Sequence, residues 1–164
     1  MQGFTQKYTI IQLLEQIAEG TTFPSSSWPL HTTVVDTFAI DWDMPEMIKH
    51  LEELLANHAP ANSVAGEDEF FGPERQVQVV LLEKTDGLGQ LHYDVVELLE
   101  KGGLKLNDPQ FAREGFLPHS TVQQHSRLQK GDVVHYNALT LIDMFPDEDP
   151  YQRKVLKTIK LAGV

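Results

Sequence analysis

The strongest constraint on this chain is a short pattern that occurs twice. Trp28-Pro29-Leu30-His31-Thr32-Thr33-Val34 and Phe116-Leu117-Pro118-His119-Ser120-Thr121-Val122 agree in type throughout: an aromatic, a Pro/Leu pair in either order, His, a small hydroxyl residue, Thr and Val. The two histidines lie 88 residues apart in a chain of 164, about half its length. A weak internal duplication, in which each half donates one equivalent strand, is the simplest organisation with that spacing. The length suits one compact domain with a sizeable core. Residues 1–164 are therefore expected to form a single domain of two related lobes, with the site at their seam.

Side chains alternate along a strand, so His31 and Thr33 point to one face while Thr32 and Val34 point to the other, and likewise for His119 and Thr121. Two such strands related by a pseudo-twofold axis would face an imidazole and a hydroxyl each across a shared groove. That set suits in-line displacement at phosphorus. One imidazole accepts a proton from the attacking oxygen and the other donates one to the leaving oxygen, roles that an ordinary pKa near ~6.5 allows at neutral pH. The hydroxyls can donate to the non-bridging oxygens, where charge builds in the transition state. Such chemistry needs neither metal nor cofactor. It does not by itself say which histidine is the base.

The rest of the chain reads as α+β. Tyr8 to Glu15 fits a strand, and Thr21 to Pro29, dense in turn formers and prolines, fits a loop. His31 to Phe38 is almost wholly β-branched or aromatic and predicts a strand. Asp43 ahead of Met44-Pro45-Glu46 is a helix start with a capping carboxylate, and Met47, Ile48, Leu51, Leu54 and Leu55 mark one face of a helix ending near Asn57. His50 and His58 fall off that stripe and read as solvated surface residues. Glu69 to Phe71 and Arg75 to Leu82 fit strands, Asp86 to Gly89 a turn, and Leu91 to Gly102 a helix with a glycine end. His119 to Val122, Val133 to Met144 and Val155 to Leu161 complete the strands, with an acidic loop at 146–150.

Charge narrows the partners. Thirteen basic against twenty-four acidic residues give a net charge of −11, which repels long nucleic acids unless bases cluster locally. Yet Gly20 to Val35 contains no charged residue, and Gly115 to Gly131 contains Arg127 and Lys130 but no acid. Both histidine motifs sit in these stretches, as an anion site requires. There is no cysteine, so disulfides, thiolate zinc sites and cysteine nucleophiles are excluded. A zinc site would need three or four converging ligands, of which His125 or His135 near His119 supplies only part. No Gly-x-Ser-x-Gly elbow or Walker-type lysine occurs. The N-terminal stretch is too short and polar for a secretory or membrane segment, which leads to the expectation of a cytoplasmic monomer with no membrane contact.

On the residues His31-Thr32-Thr33-Val34 and His119-Ser120-Thr121-Val122, with the Trp-Pro-Leu-His and Phe-Leu-Pro-His approaches, the chain resembles the 2H phosphoesterases. These include 2'-5' RNA ligases and RNA 2',3'-cyclic phosphodiesterases. The resemblance implies a bilobal α+β fold of two antiparallel sheets flanking a central groove with helices outside, metal-free chemistry, and substrates with cyclic phosphates or 2'-5' linkages. It assigns His31 and His119 as the acid/base pair and Thr33 and Thr121 as oxyanion donors. Many members carry an arginine three residues after the second threonine, where this chain has Gln124; Arg127 is the candidate to replace it.

The expected activity is hydrolysis of a 2',3'-cyclic phosphate on a small nucleotide or RNA terminus. Phe38 and Tyr136 are the candidates for stacking on the base, although both also read as core or sheet residues, as do Phe111 and Phe116. The missing arginine keeps a non-catalytic nucleotide-binding module open as an alternative, alongside a 2'-5' RNA ligase.

Overall fold

The computed structural model describes residues 6–164. Among these described residues, ten strands and two α-helices follow in the order β1 (Tyr8–Leu13), β2 (Thr22–Pro24), β3 (His31–Ala39), α1 (Met44–Leu55), β4 (Ala61–Phe71), β5 (Val77–Leu82), α2 (Asp86–Glu100), β6 (Lys105–Leu106), β7 (His119–Thr121), β8 (Val133–Tyr136), β9 (Ala138–Asp143) and β10 (Gln152–Lys160). They form a six-stranded sheet, ordered β2-β10-β9-β1-β3-β6, and a four-stranded sheet, ordered β7-β5-β4-β8. The described pairings are antiparallel. The α+β expectation of two antiparallel sheets holds.

The sheets are not the two halves of the sequence. The six-stranded sheet takes β1, β2 and β3 from the start of the chain, β9 and β10 from its end and the short β6 from between, while β4, β5, β7 and β8 build the other. The segment expected as one strand from Val133 to Met144 is in fact broken at Asn137, with β8 in the smaller sheet and β9 in the larger. The break leaves backbone donors without ladder partners, and Gln12 supplies the acceptor: its Oε1 takes the N–H of Asn137 at 3.0 Å and of Ala138 at 3.1 Å.

Both helices begin as their residues direct. The Asp43 carboxylate accepts the Glu46 N–H at 2.9 Å, and Thr85 Oγ1 accepts the Leu88 N–H at 3.2 Å. The Thr85 cap draws Asp86 to Gly89, expected as a turn, into the first turn of α2. Helix α1 buries Met47, Leu51 and Leu55, and α2 buries Leu88, Leu91, Val95, Val96 and Leu99, against one large core shared with both sheets. A smaller cluster of Ile11, Ile142 and Val155, with Leu13, Phe23 and Trp28 packed on it, covers the opposite face of the six-stranded sheet.

The two histidines outside the α1 stripe have partners. His50 stacks on Trp42 with ring centroids 4.2 Å apart, and His58 Nε2 meets Asp94 Oδ2 at 2.8 Å, tying the end of α1 to α2. Among the described residues no helix is long and apolar enough to cross a membrane.

Candidate active site

Strand register decides where the motif side chains point. Leu13 lies opposite His31 and Ile11 opposite Thr33, so both motif residues share the sheet face that carries the small Ile11 cluster and Trp28. Their neighbours Thr32 and Val34 are buried on the other face. On the smaller sheet, His119 lies opposite Leu81 and Thr121 opposite Val79, while Ser120, opposite Val80, turns to the core. Each strand therefore presents a partly exposed His and Thr and buries the hydroxyl between them.

Those buried hydroxyls join the two sheets. Ser120 Oγ donates to the carbonyl of His31 at 2.8 Å, and Thr32 Oγ1 pairs with the Tyr136 hydroxyl at 3.0 Å. The middle residue of the second motif thus grips the backbone of the first motif's histidine.

Both imidazoles are held the same way. Nδ1 of His31 lies 2.8 Å from the carbonyl of Pro29, and Nδ1 of His119 lies 2.8 Å from the carbonyl of Leu117. A carbonyl only accepts, so each Nδ1 carries the proton and Nε2 is the position left for proton exchange. Aromatic rings flank them: Trp28 lies 4.8 Å from the His31 ring, and Phe71 meets the His119 ring edge-to-face at 4.8 Å. Burial, opposed by the Pro29 hydrogen bond and reinforced by the nearby charge of His119, holds the His31 pKa below its ordinary value.

A model of the 2'-5' RNA ligase superfamily matches residues 9–150. The chain belongs to that superfamily, the 2H phosphoesterases. No curated protein matches it in sequence. The superfamily fold is also seen in solved structures. TT0787 of Thermus thermophilus aligns with a TM-score of 0.61 at 16% identity, covering 96% of this chain and 98% of that one. A structure described as a phosphoesterase aligns at 0.57 and 16% identity over 97% and 99% of the two chains. Escherichia coli LigT complexed with 3'-AMP aligns at 0.56 and 16% identity over 95% and 98%.

Within this superfamily fold, a pocket of about 630 Å³ opens beside His119, lined by residues that include Thr33, Asp36, Phe70, Phe71, Phe111 and Leu117. The loop that closes one side is built of two single-turn 3-10 helices, Pro109–Phe111, which carries Phe111, and Arg113–Gly115, which Phe116 follows in extended conformation. It needs glycine at 115, since a Cβ there would fall 1.8 Å from the Gln110 carbonyl oxygen. His92 on α2 anchors the loop. Its Nδ1 donates to the Val34 carbonyl at 2.6 Å, its Nε2 accepts the Arg113 N–H at 2.9 Å, and its ring stacks on Phe116 at 4.0 Å. Both nitrogens are used by a neutral ring, and burial lowers the His92 pKa accordingly.

Three candidate binding residues, Phe38, Tyr136 and Arg127, are not among those that line this pocket. Phe38 and Tyr136 are fully buried in the main core, Tyr136 with its hydroxyl on Thr32, so neither offers a ring face to a ligand. Arg127 is committed elsewhere, its guanidinium forked onto Asp68 with contacts of 3.0 and 2.6 Å. Phe111, read as a core residue, is instead half exposed at the pocket.

Sequence reading misses Trp28, Phe71, Asp36 and His92. The matched aromatic before each histidine is a signal, but it misleads in detail. Trp28 packs on its motif histidine, whereas Phe116 packs on His92 and Phe71 from β4 takes the place beside His119. Among the described residues no group of three or more His, Cys, Asp or Glu is arranged to hold a metal ion.

Proposed function

We propose that this protein is a phosphoesterase that hydrolyses a 2',3'-cyclic phosphate on a small nucleotide or RNA end, using His31 as general base and His119 as general acid. The observation that carries this reading is the paired Nδ1 lock, which leaves both Nε2 atoms available for proton transfer. His31 takes the base role because its lowered pKa keeps it neutral at pH 7. Its Nε2 accepts a proton from water as the water oxygen bonds to phosphorus. The bond from phosphorus to one ribose oxygen breaks, and Nε2–H of His119 protonates that oxygen. One water is consumed and a nucleoside monophosphate leaves. The hydroxyls of Thr33 and Thr121 donate to the non-bridging oxygens, where negative charge grows.

The chemistry of 3'-AMP, bound by the similar LigT structure, is that of a ring-opened cyclic phosphate, which supports the reading. Phosphorus NMR of nucleoside 2',3'-cyclic phosphates incubated with the pure protein in EDTA tests it. A new phosphomonoester signal is the expected result. Absence of that signal, or loss of all turnover in EDTA, contradicts the metal-free mechanism. Adding an RNA with a 5'-hydroxyl end separates hydrolysis from joining.

A further inference from the structure

We propose that the pocket beside His119 binds a guanine base, with Asp36 accepting hydrogen bonds from the N1–H and the N2 amino group. The base is taken to be that of the cyclic nucleotide, so this proposal rests on the reading above.

Asp36 reaches the site because of two irregularities in β3. Strict alternation would set it on the opposite face from His31 and Thr33. Instead the pairing runs Ile11 to Thr33, Ile10 to Val35 and Tyr8 to Phe38, with a register shift in each interval. Val35 and Phe38 follow Ile10 and Tyr8 into the core, which leaves Asp36 on the face of Thr33. Both residues line the pocket.

The pocket around Asp36 is aromatic. Phe70, Phe71, Phe111 and Phe116 line it, and Phe70 and Phe111 are 44% and 52% exposed at its edge. Large apolar rings left in water around a concave site are what a flat heterocycle covers on binding. Apart from His119, Asp36 is the one ionisable residue in the lining among the described residues. Its negative charge disfavours a second phosphate there and favours a ligand edge made of N–H donors.

One Asp36 oxygen accepts the Thr37 N–H at 2.9 Å, and the other has no partner among the described contacts. A carboxylate in an aromatic wall with spare lone pairs selects for donors. Guanine alone of the common bases sets two donors side by side, at N1 and N2. Adenine and cytosine place one amino group next to a ring acceptor, and uracil sets a single N–H between two carbonyls. Those acceptors would face the carboxylate and be repelled.

The test is kcat/KM for the guanosine, inosine, adenosine, cytidine and uridine 2',3'-cyclic phosphates. Guanosine is expected to exceed uridine by about tenfold or more, with inosine, which lacks the N2 amino group, between them. Asp36→Asn should shrink the guanosine-over-uridine ratio at least several-fold. Equal kcat/KM across the five substrates overturns the proposal while leaving the hydrolase reading intact. If no cyclic phosphate is turned over, calorimetry with 3'-GMP and 3'-UMP reads the pocket independently. Tighter 3'-GMP binding that Asp36→Asn weakens supports the site, and indifference to the base overturns it. The inosine comparison uses the unaltered protein, so it holds even where the variant folds poorly.

Discussion

His31 and His119 are oriented by identical contacts, each ring donating from Nδ1 at 2.8 Å to the carbonyl two residues before it, Pro29 in one case and Leu117 in the other. The same local turn therefore sets both rings on strands of different sheets. In both cases the acceptor is a backbone carbonyl, so no second side chain is needed to hold the ring. The hydroxyl between each His and Thr serves a separate purpose, linking the two sheets.

The pH profile follows from the burial of His31. Its pKa lies below the ordinary value, so the acidic limb of kcat/KM should have its midpoint below about 6.5. Trp28, held between Phe23 at 5.0 Å and the His31 ring at 4.8 Å, supplies part of that burial. Trp28→Ala should let water reach the imidazole and move the acidic limb upward. An unmoved limb would show that Trp28 does not set the titration.

In the proposed mechanism Ser120 is a positioning residue, since its Oγ holds the His31 carbonyl. Ser120→Ala removes the bond to the His31 carbonyl and should cost about 1 kcal/mol of stability. It should also lower kcat more than it raises KM, because the misplacement falls on the base and not on ligand contacts. Ser120→Thr, which keeps the hydroxyl, should recover part of kcat. Steady-state kinetics of both variants checks this.

His92 ties acid sensitivity to the pocket loop. His92→Ala strands the Val34 carbonyl and the Arg113 N–H and removes the ring beneath Phe116, a loss of about 2–4 kcal/mol. With its folded pKa lowered, His92 takes up a proton on unfolding between that pKa and about 6.5. His31 does the same. Stability should therefore fall as the pH drops through that interval, and flatten above it. Urea melts at pH 5.5 and 7.5 would show a smaller pH difference in His92→Ala than in the unaltered protein.

Arg127 should prove dispensable for turnover. Its charge is met by Asp68 in a solvent-exposed pair, so Arg127→Ala is expected to leave the thermal melt nearly unchanged. kcat/KM should stay within about threefold. A loss of a hundredfold would instead show that Arg127 takes part in turnover despite its pairing with Asp68.

What the sequence makes legible is whatever rests on local patterning. The repeated triplets, the β-branched run of β3 and the Asp43 cap each act through neighbours a few residues away, and each takes its expected form. Long-range packing hides the rest. Of the eleven residues of β4, patterning predicts only the last three, because Ala61, Ser63 and Ala65 have weak strand preference. At Ala61 the start of α2 packs close, since a Cβ added at Gly87 would lie 3.5 Å from the Ala61 side chain. Asp36 is hidden for a different reason, since it lies between two register shifts that put it on the other face and leave no mark in the composition. His92 sits on a helix face among leucines and valines, and only the fold shows that a carbonyl of β3 and an N–H of the pocket loop wait for its two nitrogens.

Two-histidine catalysis is tested most directly by one comparison: turnover of guanosine 2',3'-cyclic phosphate by the unaltered protein, His31→Ala and His119→Ala, each confirmed folded by its thermal melt. Each variant should lose about 10²-fold or more in kcat, and the double variant little beyond the worse single one. Near-normal turnover by either folded variant would contradict two-histidine acid/base catalysis.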